Sequence, residues 1–191
     1  MNYSIYAEST PNPAVMKFVA NKILLNENVE ILTMKEAEQI PLAAAIFNFP
    51  SVKGLFLSGN FIAITKTESV KWEDIAMQLR IFISDFLNAN GLEITGKKIE
   101  KEIIKGSADE KAFSDLEKKV ADVLTEYIQP AVESDGGFIS LRSVQNGIVS
   151  VVLKGACSGC PSSSLTLKQG IENLLKQKFL EQIKEVVAYE E

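Results

Sequence analysis

Apolar positions change their rhythm several times along the chain, and each change marks an element. Over residues 3–25, β-branched and aromatic residues alternate loosely with polar ones on either side of Thr10-Pro11-Asn12-Pro13, which predicts two strands around a rigid proline corner. Over 35–47 the period lengthens to that of a helix: Pro41 falls in a first helical turn, Leu42, Ala45, Ile46 and Phe49 form an apolar face, and Pro50 stops it. Residues 52–57 and 61–65 are strand-like runs, joined through Ser58-Gly59-Asn60 as a hairpin. Helical spacing returns over 72–87 through Trp72, Ile75, Ala76, Leu79, Phe82, Ile83 and Phe86, with Asn88-Ala89-Asn90-Gly91 as stop signals. This first part reads as ββαββα.

Between 91 and 112 the periodicity fades and charge dominates ("GKKIEKEIIKGSADEKA"), the pattern of a solvated linker. Beyond it, Ser114-Asp115-Leu116-Glu117 opens a helix whose stripe Leu116, Val120, Val123, Leu124, Tyr127 and Ile128 ends before Pro130. After Asp135-Gly136-Gly137, Ile139 and Leu141 alternate with polar neighbours, Asn146-Gly147 makes a tight turn, and Val149, Val151 and Leu153 alternate on the return. A helix over about 162–179, with Leu167, Ile171, Leu174 and Leu175 on one face, and a strand over 183–189 complete an αββαβ unit. The expected fold is α+β in two small domains, an N-terminal ββαββα at 1–90 and a C-terminal αββαβ at 113–191, joined by the charged linker 91–112.

Composition narrows the function. With 46% hydrophobic and 24% charged residues over 191 positions, each half can bury a core. The net charge of −5, with bases interleaved among acids, argues against generic binding of nucleic acid or anionic membrane. No apolar stretch approaches a membrane span, and Met1-Asn2-Tyr3-Ser4-Ile5-Tyr6 has no positive region leading into an apolar run, so a soluble cytoplasmic protein is expected. The chain has no histidine, shows no nucleophile–base pair and carries no phosphate-cradling Gly loop, which points away from an enzyme.

The chemistry gathers in "GACSGCPSSS", Gly155 to Ser164, which holds both cysteines of the chain. Pro161 suits the first position of a helix, which sets Cys160 at or near the N-cap and both sulfurs beside free helix N–H groups that favour thiolate. Two such thiols have four uses open to them. They could be buried small hydrophobes, although the Gly and Ser on every side supply little apolar packing. They could bind zinc, which wants four ligands where this chain offers two thiolates and no imidazole. They could run thiol–disulfide exchange, with Cys157 as nucleophile and Cys160 as resolving thiol; against this, an antiparallel hairpin precedes the motif and no proline follows Pro161. Or they could hold an iron–sulfur cluster shared between two chains, each giving Cys157 and Cys160 towards the usual four thiolates.

The stretch "YIQPAVESDGGFISLRSVQNGIVSVVLKGACSGCPSSSLTLKQGIENLLK" resembles the C-terminal domain of the NifU/Nfu family, and the pairing of "PAV" and "DGG" with "GACSGCPSS" is far more specific than the cysteine pair alone. "TPNPAVMKF" and "PLAAAIFNFPSVKGLFLSGNFIAITK" resemble the family's N-terminal domain, so all but the linker is covered. The resemblance implies a scaffold or carrier that takes a cluster from assembly scaffold proteins and passes it to apo iron–sulfur client proteins. It implies a [4Fe-4S] cluster bridging a homodimer through Cys157 and Cys160. Phe138 departs from the pattern, since many relatives carry a polar residue there, but no ligand is lost. The residues by themselves assign Asp135-Gly136-Gly137 to a turn, Ser162, Ser163 and Ser164 to helix capping, and Trp72 to the core.

Overall fold

The computed structural model of the chain describes residues 2–90, 113–158 and 161–190. It divides into two compact units, Met1–Ile104 and Lys105–Glu191, and each has an apolar core of its own. The segment read as a linker, 91–112, lies outside the described residues.

In the first unit β1 (Ile5–Ser9), β2 (Val15–Ala20), β3 (Val29–Ile31), β4 (Val52–Ser58) and β5 (Phe61–Lys66) form one antiparallel sheet in the order β1-β2-β5-β4-β3. The register sets Phe18 and Leu57 on either side of Ile62. All three are fully buried, in one core with Leu79, Ile83 and Leu87 of the helix α3 (Trp72–Asn90). The proline corner is fastened from both sides. The Thr10 hydroxyl lies 2.9 Å from the Asn12 and Val15 carbonyls, the Asn12 side chain accepts the Ala14 N–H at 3.0 Å, and the Trp72 indole donates to the Pro13 carbonyl at 3.1 Å.

The helix expected over 35–47 is two helices, α1 (Met34–Ala37) and α2 (Pro41–Phe47). A capping box between Thr33 and Glu36 starts the first. Pro41 indeed opens the second, but by disfavouring helical geometry at Ile40 (φ −123°, ψ 103°) it interrupts the run. The three-residue β3 was too short to give an alternation signal, so the unit is ββ-β-αα-ββα rather than ββαββα. α3 also runs past its expected stop, because the Asn88 and Asn90 carboxamides donate back to the Ser84 and Phe86 carbonyls, each at 2.9 Å, and so sit within the last turns.

The second unit runs α4 (Asp115–Val123), a π turn (Leu124–Ile128), α5 (Gln129–Ser134), β6 (Gly137–Gln145), β7 (Ile148–Gly155), α6 (Pro161–Phe179) and β8 (Glu185–Glu190). β7 is the central strand, antiparallel to β6 and parallel to β8, so α6 is a crossover connection between parallel neighbours. Helical backbone continues through Pro130 instead of ending before it. The wider π turn ahead of it accommodates a residue that would clash with a regular helical turn. The extra residue also shifts the helical phase, which explains why Tyr127, counted in the apolar stripe, is 49% exposed with Lys178 over its ring at 4.0 Å. Val120, Leu124, Ile139, Leu141, Val149, Val151, Leu153, Ile171 and Leu175 are buried as the pattern requires. Among the described residues no helix is long and apolar enough to cross a membrane.

Candidate cysteine-loop site

The cysteine loop begins where β7 ends. Gly155, with φ +65°, breaks the strand, and the Ser158 N–H closes a turn on the Gly155 carbonyl at 3.1 Å. At the same end of the sheet, α5 closes into the Asp135-Gly136 turn. There the Asp135 N–H donates to the Ala131 carbonyl at 3.1 Å, the Gly136 N–H donates to the Glu133 carbonyl at 3.0 Å, and Gly136 takes φ +81°. The turns are fastened together: Gly137 pairs with Gly155 across the ladder, and the Ala156 N–H donates to the Gly136 carbonyl at 3.1 Å. The two glycine-rich motifs, about twenty residues apart in sequence, therefore form one structure. Gly136 has the turn geometry expected of it.

Cys157 is 7% exposed and belongs to the apolar cluster that contains Val132, Ile139 and Leu153. For Cys157 this corrects the expectation of little apolar packing: its neighbours in sequence are Gly and Ser, but it joins a core cluster with residues of α5, β6 and β7. Gly137 presses closely on it. A Cβ at position 137 would stand 2.6 Å from Cys157 Sγ, 3.1 Å from Cys157 Cβ and 2.9 Å from the Lys154 carbonyl oxygen. Sequence reading assigned the glycine pair to a turn and missed this contact; its one available sign was a second glycine after the residue that turns the chain.

Cys160 lies outside the described residues, as do the side chains of Ser162, Ser163 and Ser164. α6 starts at Pro161, as its missing N–H favours, so the cysteine motif immediately precedes a helix N-terminus, where the first-turn N–H groups have no partner within the helix. The helix is tied to β8 past its middle. The Glu172 carboxylate takes the Lys176 ammonium and the Val186 N–H (3.1 Å), and these, with Lys168 nearby, hold it below the usual glutamate range against the opposing effect of burial.

Among the described residues no group of three or more His, Cys, Asp or Glu side chains gathers to hold a metal ion. The first unit has an open apolar groove lined by Ala45, Asn48, Phe49, Pro50, Phe82 and Phe86, with no thiol, imidazole or carboxylate among them.

These features define a two-unit α+β protein whose second unit presents a Cys-x-x-Cys loop between a strand and a helix N-terminus. The chain belongs to the Nfu/NifU family: residues 5–90 match the family described as scaffold protein Nfu/NifU N terminal, and residues 120–187 match the NifU-like domain. It is 33% identical over 174 residues to the NFU1 iron-sulfur cluster scaffold homolog, mitochondrial, of Homo sapiens, covering 90% of this chain and 66% of the relative. It is 33% identical to the protein of that name in Drosophila willistoni (90% and 59% covered) and 32% identical to NifU-like protein 4, mitochondrial, of Arabidopsis thaliana (90% and 61% covered). The chain thus spans less than two thirds of the length of these relatives. A solution NMR structure of a NifU-like protein from Saccharomyces cerevisiae is 25% identical and matches 51% of this chain and 87% of its own, with a TM-score of 0.45. Two of these names speak of a scaffold, none of thiol exchange, and all three of mitochondria, so the cytoplasmic expectation finds no support in them.

Proposed function

We propose that this chain is an iron–sulfur cluster scaffold and carrier that holds a [4Fe-4S] cluster between two copies of itself, through Cys157 and Cys160 of each, and hands it to apo iron–sulfur proteins. One observation carries the reading: the whole sequence has two cysteines and no histidine, whereas such clusters are usually held by four thiolates. Two chains supply that number. The cluster is cargo, and a set of ligands divided between two chains can be opened by separating them, which suits release to a client better than enclosure within one chain. Membership of the Nfu/NifU family supports the reading, as do the scaffold names of its human and Drosophila willistoni relatives. The protein has no turnover of its own in this account; domain 1–90 selects or orients partners, 91–112 tethers it, and domain 113–191 carries the cargo.

Anaerobic reconstitution with iron and sulfide tests the ligand assignment. Wild type should bind about two irons per chain, half of a shared four-iron cluster, and both Cys157→Ser and Cys160→Ser should lose the cluster and its visible absorbance. Retention of full iron by either variant would remove that cysteine from the ligand set.

A further inference from the structure

The Cys157 sulfur is seated against Gly137, in space that a side chain at position 137 would fill. Cys157 as a residue is buried in an apolar cluster, yet a cluster shared with a second chain needs its sulfur at a surface. With a Cβ at 137 only 2.6 Å from Cys157 Sγ and 2.9 Å from the Lys154 carbonyl oxygen, no side chain would fit here unless something moved. The Lys154 carbonyl belongs to β7 backbone held in the ladder, where Phe138 pairs with Lys154, so the group able to give way is the Cys157 side chain on its turn. Gly137 does not have the positive φ of Gly136. Its requirement for glycine comes from close approach, not from backbone conformation.

We propose that Gly137 is a positioning residue for cluster capture: it lets the Cys157 thiol withdraw against the start of β6 in the unloaded protein, and loading draws the sulfur out of that seat. The functional meaning rests on Cys157 being a cluster ligand, whereas the seat itself can be measured without any cluster.

The test uses the full chain without iron, in a Cys160→Ser background, where Cys157 is the only thiol. Alkylation by iodoacetamide is followed by mass spectrometry with Gly137 and with Gly137→Ala, and urea unfolding of both proteins corrects for global opening. The alanine variant should label roughly tenfold faster, as expected when local opening no longer limits access; rates within about twofold would overturn the seat. Should Gly137→Ala fail to fold, adding Cys157→Ala decides. Recovery of cooperative unfolding would place the conflict on the sulfur and support the seat, while continued failure would place it on the Lys154 carbonyl or the Cys157 Cβ, atoms that the substitution leaves in place, and overturn it. Iron loading of wild type is scored separately. A wild type that takes no iron while the labelling contrast holds sinks the ligand reading and leaves the seat; a wild type that loads without that contrast sinks the seat alone.

Discussion

Glu172 illustrates how one side chain fixes the orientation of the helix that follows the cysteines. Its carboxylate joins Lys176 on α6 to the backbone of β8 at Val186, and its proton affinity is lowered by those partners. A group with a depressed folded value stabilises the fold above its ordinary range, and that contribution is lost as pH falls through the folded value. Glu172→Gln should therefore lower stability at neutral pH by about 0.5 kcal/mol, a small effect because the i, i+4 pair is partly exposed. In urea titrations the gap from wild type should close as pH drops below about 4, under the ordinary glutamate range; a gap that stays constant would show that the charge plays no part. At this scale the sequence revealed which atoms could ligate but not where they rest. Cys157 and Cys160 stand out by residue type and spacing alone. Cys157 shares its core cluster with Val132, Ile139 and Leu153, which the fold alone brings into one core with it.

Among the elements, the start of α4 is tied to the hairpin that leads into the cysteine loop. Ser114 and Glu117 form a capping box, and the second Glu117 oxygen accepts the Val144 N–H at 3.0 Å, just after the irregularity between Leu141 and Ser143. Ser114→Ala should cost about 1 kcal/mol, the usual worth of a cap. Glu117→Ala should cost about 2 kcal/mol, because it loses both the cap and the strand contact. Urea denaturation compares the two, and equal costs would show that the Val144 contact contributes nothing. The elements legible in advance were those with enough residues to display a period: β1 and β2, the β4–β5 and β6–β7 hairpins, α3, α4, α6 and β8. β3 and α1 were too short for that. The split at Pro41 and the passage through Pro130 show proline acting in two ways, first dividing a helical run and then sitting within one where a π turn makes room.

Over the whole molecule, two separate cores carry two different surfaces: an open apolar groove in the first unit and a thiol loop in the second. Both cysteines lie in the second, so a fragment of residues 113–191 should take up as much iron per chain as the full chain, and a fragment of 1–90 should take up none. Iron analysis after anaerobic reconstitution checks both, and loss of loading in the 113–191 fragment would mean that the first unit helps to build the site. The two-part organisation and the cysteine motif were legible because each has a local signature, periodicity in one case and spacing in the other. The approach of the Asp135-Gly136-Gly137 turn to the cysteine loop was not, since strand pairing across β6 and β7 creates it. The central claim, that four thiolates from two chains share one cluster, is tested most directly by native mass spectrometry of the reconstituted full chain. The expected species is two chains plus the mass of one four-iron four-sulfur cluster, falling to cluster-free protein when Cys160→Ser is introduced. A single chain retaining an intact cluster would contradict the account.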